Sequence, residues 1–219
     1  MCTLRIFVLM LLSTSLANGA SQPHVVALGK ALPVKLFIGA AEDKTMDMTV
    51  RPLYVDAKVK GFTTGKSHDV TEREFVVRRA FRINDALPSD KAPKWLWQRG
   101  GWLLVDRVSG KVTAIKLPDF DPFYSEVSWY RDYAAYCGTT GSVDKLMAVV
   151  AEIGVKKPLY RKDLGKASGG DLPDSDCAPP QWGRQPARVT FLPKNGDTFT
   201  VNVSGRFADE AVDSSDDEE

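Results

Sequence analysis

Apolar and polar positions alternate with a period of two along most of the chain, which is the spacing of strands rather than helices. Leu53, Val55, Ala57 and Val59 alternate with Tyr54, Asp56, Lys58 and Lys60, predicting one half-buried strand. The run Glu74–Asn84 (EFVVRRAFRIN) is rich in β-formers and is its expected hairpin partner across GFTTGKSHD. A second hairpin is predicted within 95–117, from GWLLVDRVSGKVTAIKL. A two-residue Ser-Gly loop there would force Ser109 to positive φ, whereas a four-residue loop over 107–110 leaves only Gly110 in that region. The longer loop sets Asp106 opposite Lys111, Val105 opposite Val112 and Trp102 opposite Ile115.

The stretch RVTFLPKNGDTFTVNVSG predicts a third hairpin. A two-residue Asn195-Gly196 loop would turn Val189 and Phe191 to the wrong face. A three-residue loop, 194–196, pairs Phe191 with Phe199 and Val189 with Val201, and puts Gly196 where a bulge needs a left-handed residue. Before it, residues 165–187 are rich in Gly and Pro and read as a long loop.

Seven of the 21 aromatic residues fall within 120–136. Trp129, Tyr130, Tyr133, Tyr136 and Cys137 also satisfy helical spacing, but aromatics suit a pleated surface and LMAVVAEI continues a β rhythm, so strands are preferred. On an extended strand Trp129, Arg131, Tyr133 and Cys137 face one way, and Tyr130, Asp132 and Tyr136 the other. Tyr130, Arg131, Asp132 and Tyr136 are therefore the candidate binding surface, able to stack on sugar or peptide. For these aromatics burial in a core is the first reading, and an exposed stacking surface the second.

Composition is that of a globular chain, 43% hydrophobic and 26% charged. The formal charge of +1 projects no global field toward nucleic acid. Two histidines and three cysteines argue against histidine-rich or Cys/His metal sites, so neither metal nor cofactor is expected. Residues 1–19 have the layout of a secretory signal peptide: Arg5, the apolar run IFVLMLL, then small residues ending in Ala17 and Gly19. No later segment is apolar enough to predict a transmembrane span. Without 1–19, the chain to residue 206 holds 28 basic and 21 acidic residues, a balance of +7. The seven remaining acids fall in 207–219, expected to be a disordered acidic tail. Cys137 and Cys177 remain as an even pair in an oxidising periplasmic or extracellular location, and a disulfide between them is expected.

The fold class expected for 20–206, taken as one domain, is all-β: an antiparallel meander with propeller-blade-like hairpins, the alternatives being a β-sandwich or a small propeller. The segment WLWQRGGWLLVDRVSGKVTAIKLPDFDPFYSEVSWYRDYAAYCG, followed by KLMAVVAEIGVKKPLYRKDL, resembles a group of uncharacterised exported bacterial β-rich proteins. That resemblance implies export and carries over no catalytic residue. The same stretch resembles β-propeller blades, with its SGK turn, VSWY, a turn at RD, and YAAYC, LMAVVAEI and PLYRK. It covers about one and a half blades.

Several motifs imitate chemistry. GFTTGKS is one residue short of a phosphate-wrapping P-loop and reads as a hairpin loop. Ser67, His68 and Asp69 are consecutive, and neighbouring residues rarely converge as a triad must. Asp119, Asp121, Glu126 and Asp132 surround aromatics, as a glycosidase cleft would require, but turn chemistry accounts for the first two. Asp171, Asp174 and Asp176 lack the register of an EF-hand. Asn202-Val203-Ser204 fits the N-glycosylation pattern, which is without meaning in a bacterial host. The expectation for function is an exported non-catalytic β-domain binding an envelope protein or glycan. A structural or assembly role, and a hydrolase of an envelope polymer using Asp121, Glu126 and Asp132, are the alternatives.

Overall fold

The computed structural model describes residues 23–37, 45–139, 145–167 and 176–211. The signal-peptide layout of 1–19 and the positions Asp171 and Asp174 lie outside them. The described residues form fifteen strands and no helix, an all-β fold. No helix among them is long and apolar enough to cross a membrane.

The first half closes on itself. Strand β1 (Val26–Leu28) pairs with the second half of β3 (Thr45–Val55), and β2 (Leu32–Phe37) pairs with its first half. Strands β4 (Lys58–Asp69), β5 (Glu74–Asn84) and β6 (Trp95–Asp106) continue the antiparallel meander. One parallel pairing, Leu36 with Trp97, joins β6 back to β2. Five strands thus make a barrel, whose closure removes most of the edge a flat sheet would expose. Strand β7 (Val112–Ile115) is a short addition on the far half of β6. Leu53, Phe75, Val77, Leu103 and Val105 form one buried cluster, covered by Val26, Leu28 and Val112, and Leu36, Met48, Val50 and Ala80 form another.

The second half is two stacked meanders. Strands β8 (Ser128–Tyr130), β9 (Tyr133–Thr139), β10 (Lys145–Glu152) and β11 (Tyr160–Lys166) form one four-stranded antiparallel sheet. Strands β12 (Cys177–Arg184), β13 (Ala187–Pro193), β14 (Phe199–Ser204) and β15 (Phe207–Glu210) form the other. Ala135, Cys137, Leu146, Ala148 and Val150 meet Val189, Phe191, Val201 and Val203 between them. The Cys137–Cys177 disulfide ties β9 to β12 across this core. On its outer face the first sheet buries Ala134, Tyr136, Met147, Val149 and Ala151 under the connecting segment, through Leu117, Phe120 and Val127. That segment passes so close to β9 that a Cβ on Gly138 would lie 2.0 Å from the Asp119 carbonyl oxygen.

The hairpin registers expected at β6–β7 and β13–β14 are those observed. Val105 pairs with Val112 and Trp102 with Ile115; Phe191 pairs with Phe199 and Val189 with Val201. Other expectations are corrected. The alternation over 53–60 is not one strand, because Asp56 and Ala57 both take positive φ (51° and 61°) and turn the chain between Val55 and Lys58. Asp56 holds this turn by accepting from the Val25 amide at 3.0 Å and contacting His24 Nδ1 at 2.6 Å. GFTTGKSHD is not a loop but the body of β4, with Gly65 in an irregularity between Thr64 and His68. The β13–β14 ladder ends at Phe191–Phe199, so the connection is longer than 194–196. Within the expected loop 165–187, residues 177–184 pair as β12, and the tail from 207 begins with the paired strand β15. Both were masked in the sequence by Pro and acidic residues, which edge strands accept.

Candidate functional site

Strand β5 builds the candidate site through a register shift against β6 between Arg78 and Ala80. The extra residue lies on β6, where 99–102 face 78–80, and on β5 Arg78 is buried while Arg79 is exposed. Beyond it, Arg79 lies over the Phe81 ring at 5.5 Å, and Gly100 on β6 leaves the room that both side chains occupy. Arg82 lies 5.2 Å from the Trp95 ring and 5.4 Å from that of Trp97, the cross-strand arrangement in which aromatic faces attract a guanidinium. Trp97 in turn meets Phe62 of β4 edge-on at 5.2 Å. Lys60 and Phe62 from β4, with Gly110 and Lys111 from the β6–β7 turn, complete the border of a groove of about 670 Å³.

Four cations, Lys60, Arg79, Arg82 and Lys111, line this groove, and no carboxylate among the described residues does. Several arginines elsewhere are neutralised by carboxylates. Arg73 holds Asp106 at 2.5 Å, Arg107 holds Asp69 at 2.5 Å, and Arg161 holds Asp119 at 2.8 Å. Arg73 keeps the Asp106 carboxyl well below its ordinary value, helped by the Ser109 and Val108 amides. Buried Arg78 and Arg99 both donate to Glu126, and Arg78 also donates to the Pro122 and Ser125 carbonyls. None of the four groove cations has such a partner among the described residues. An unneutralised cluster beside exposed aromatic surface, with Trp95 52% exposed, is a surface arranged to receive an anion.

The sequence-derived surface does not assemble as expected. Tyr136 is fully buried, and its hydroxyl donates to the Pro118 carbonyl; burial pushes the phenol well above its usual range. Tyr130 and Tyr133 pair directly across the Arg131-Asp132 turn and therefore share a face, leaving Tyr136 on the opposite one. Unbroken-strand parity had grouped Tyr130 with Tyr136, and the turn reverses that grouping. Tyr130 stacks on Trp182 at 5.4 Å, Arg131 lies 5.6 Å over the Tyr130 ring, and the Asp132 carbonyl accepts from the Ile153 amide. Tyr133 donates to the Gly205 carbonyl, and Trp182 to that of Ser128. This constellation locks β8 and β9 onto the second sheet of the sandwich.

The motifs that imitated chemistry have structural duties. His68 stacks near-parallel on Trp129 at 6.1 Å, and its Nε2 lies 2.9 Å from the Arg131 carbonyl, so it fastens barrel to sandwich. Asp121 accepts from the Phe123 amide at 2.7 Å, the chemistry of a turn. Glu126 is held by two arginines. No group of three His, Cys, Asp or Glu side chains able to hold a metal occurs among the described residues. Sequence reasoning missed the groove although its signal was visible in EFVVRRAFRIN, where three arginines interrupt an apolar strand. What was not visible is that Lys60 and Lys111 arrive beside two of them. No protein-family model matches the sequence, and searches of curated proteins and of solved structures likewise match nothing.

Proposed function

We propose that this is an exported, non-catalytic β-domain that binds an anionic envelope partner, a protein segment or a glycan, through the groove between β4, β5 and the β6–β7 turn. The observation that carries this reading is the convergence of Lys60, Arg79, Arg82 and Lys111 without a carboxylate. Aromatic faces supply the apolar half of recognition, and the unneutralised cations supply the electrostatic half. The Cys137–Cys177 disulfide fits the oxidising periplasmic or extracellular compartment that the N-terminal layout of 1–19 suggests. Two of the three carboxylates a hydrolase would use are engaged otherwise, Glu126 by Arg78 and Arg99 and Asp121 by its own turn.

The test is retention of the full chain on immobilised polygalacturonate and on purified envelope fractions, over a salt gradient. The double variant Arg79→Glu/Arg82→Glu is expected to bind at least about tenfold more weakly, because reversed charges repel what the originals attracted. Its thermal midpoint should stay within a few degrees, since both guanidinium groups are at the surface. Undiminished retention of that variant would remove the groove from the proposal.

A further inference from the structure

Strand β7 has hydrogen-bonding groups that its own sheet does not use. The Asp106 amide donates to the Lys111 carbonyl at 3.0 Å, which makes 106 and 111 a hydrogen-bonded pair. Pairs in an antiparallel ladder alternate between bonded and non-bonded. Leu104–Thr113 and Trp102–Ile115 are therefore bonded, while Val105–Val112 and Leu103–Ala114 are not. The N–H and C=O of Val112 and Ala114 consequently point away from β6. No strand among the described residues pairs with that side of β7, and no described group bonds those atoms.

This free edge lies between two unlike grooves that share Ala114. On one side is the cationic groove, to which β7 contributes Val112 and Ala114. On the other is a groove of about 580 Å³ with a mainly apolar lining, including Ile115, Leu117, Ile153 and Val155, and with Lys116 and Lys156 at its border. An occupant spanning both needs negative charge at one end, apolar groups at the other, and backbone donors and acceptors between them at strand spacing. An extended peptide has all three, whereas a glycan or a lipid lacks the third.

We infer that β7 is a docking edge for an extended segment of a partner protein, acidic at one end and apolar at the other, which adds as a strand beside Val112–Ile115. This deepens the groove reading and rests on it. The acidic end lies against Lys60, Arg79, Arg82 and Lys111, and the apolar end enters the groove beside Ile115 and Ile153. The short length of β7 and its flanking lysines, which discourage indiscriminate edge pairing, select an acidic partner instead of excluding all partners.

The experiment titrates the full chain, by fluorescence anisotropy, with two labelled peptides of one composition. One carries a run of Asp and Glu followed by alternating Val and Thr, and the other the reverse order. One order is expected to bind. Ala114→Pro, which deletes an outward N–H at a position where an edge strand tolerates proline, should weaken it about tenfold. Ala114→Ser, which keeps the N–H, should change it less than about twofold. A measurement independent of any protein variant uses peptides N-methylated on alternate residues. Methylation of one alternating set should abolish binding, and methylation of the other should leave it intact. Equal binding of both methylated sets, or unchanged binding to a folded Ala114→Pro chain, would overturn the inference. So would binding confined to polygalacturonate or to phosphatidylglycerol vesicles. If that confined binding is lost in Arg79→Glu/Arg82→Glu, the groove reading stands and only the peptide edge falls. If neither the peptides, the polymer nor the vesicles bind, both fall.

Discussion

Barrel and sandwich are made of the same antiparallel hairpins, yet they distribute their cores and their aromatic side chains differently. The sandwich packs two four-stranded sheets over one aliphatic and aromatic core and adds a disulfide across it. Its aromatic cluster at Tyr130, Tyr133 and Trp182 is turned inward on the opposing sheet. The barrel splits its core into two smaller clusters, accommodates three register shifts where the sandwich has two, and leaves four cations without a carboxylate among the described residues beside the short strand β7. A continuous core fixes every side chain near it, while bulges aim side chains outward and interrupt pairing. On the proposed reading recognition falls on the barrel, while the sandwich carries the larger continuous core.

The sharpest way to break this comparison is in the sandwich core. Phe191 is fully buried and stacks on Phe199 at 5.2 Å, so Phe191→Ala should cost about 4 kcal/mol and lower the thermal midpoint by about 10 °C. A loss no larger than that of a surface substitution would contradict the place of Phe191 in that core. Next comes the joint between the halves. Glu126→Ala leaves Arg78, 4% exposed, and Arg99, 13% exposed, without their shared carboxylate. Removing the carboxylate that two guanidinium groups share makes this a loss of about 2 kcal/mol by denaturant titration. Gln at the same position should recover part of it, because its amide oxygen still accepts.

The smallest effect is on the barrel's surface and depends on pH. Arg73 lowers the folded carboxyl of Asp106 below its ordinary value of 3.8, so the contribution is complete above that value. It is lost as pH falls through the lower folded value. Asp106→Asn should therefore lower stability slightly at neutral pH, with the difference from the original chain shrinking as pH falls below about 4, so that the acid limb is flattened. A deficit that persists undiminished at acid pH, or none at neutral pH, would contradict the pairing with Arg73.

Legibility in the sequence followed the range of the interactions concerned. The β6–β7 register could be read because an alternating pattern ran into a turn with one obligatory glycine, Gly110, observed at φ 63°. The Asp56-Ala57 turn was illegible because both residues enter the left-handed region without a glycine or asparagine to announce it. Tyr136 was misplaced because one two-residue turn between it and Tyr130 exchanges the faces of every residue that follows. Strands β12 and β15 were hidden by Pro179, Pro180 and a run of acids, residues that local rules assign to loops but that paired strands here accommodate.

By itself the sequence determined the all-β content, the registers of two hairpins and the pairing of Cys137 with Cys177. Each of these depends on periods of two, on glycine at a turn, or on the count of cysteines. Tertiary structure alone decided that Leu36 would meet Trp97 in parallel and close the barrel. It also decided that Lys60 and Lys111 would come to border one groove with Arg79 and Arg82. Pleat and turn are encoded by neighbours along the chain, whereas closure and charge convergence depend on pairings between distant strands, which leave no periodic mark at either end.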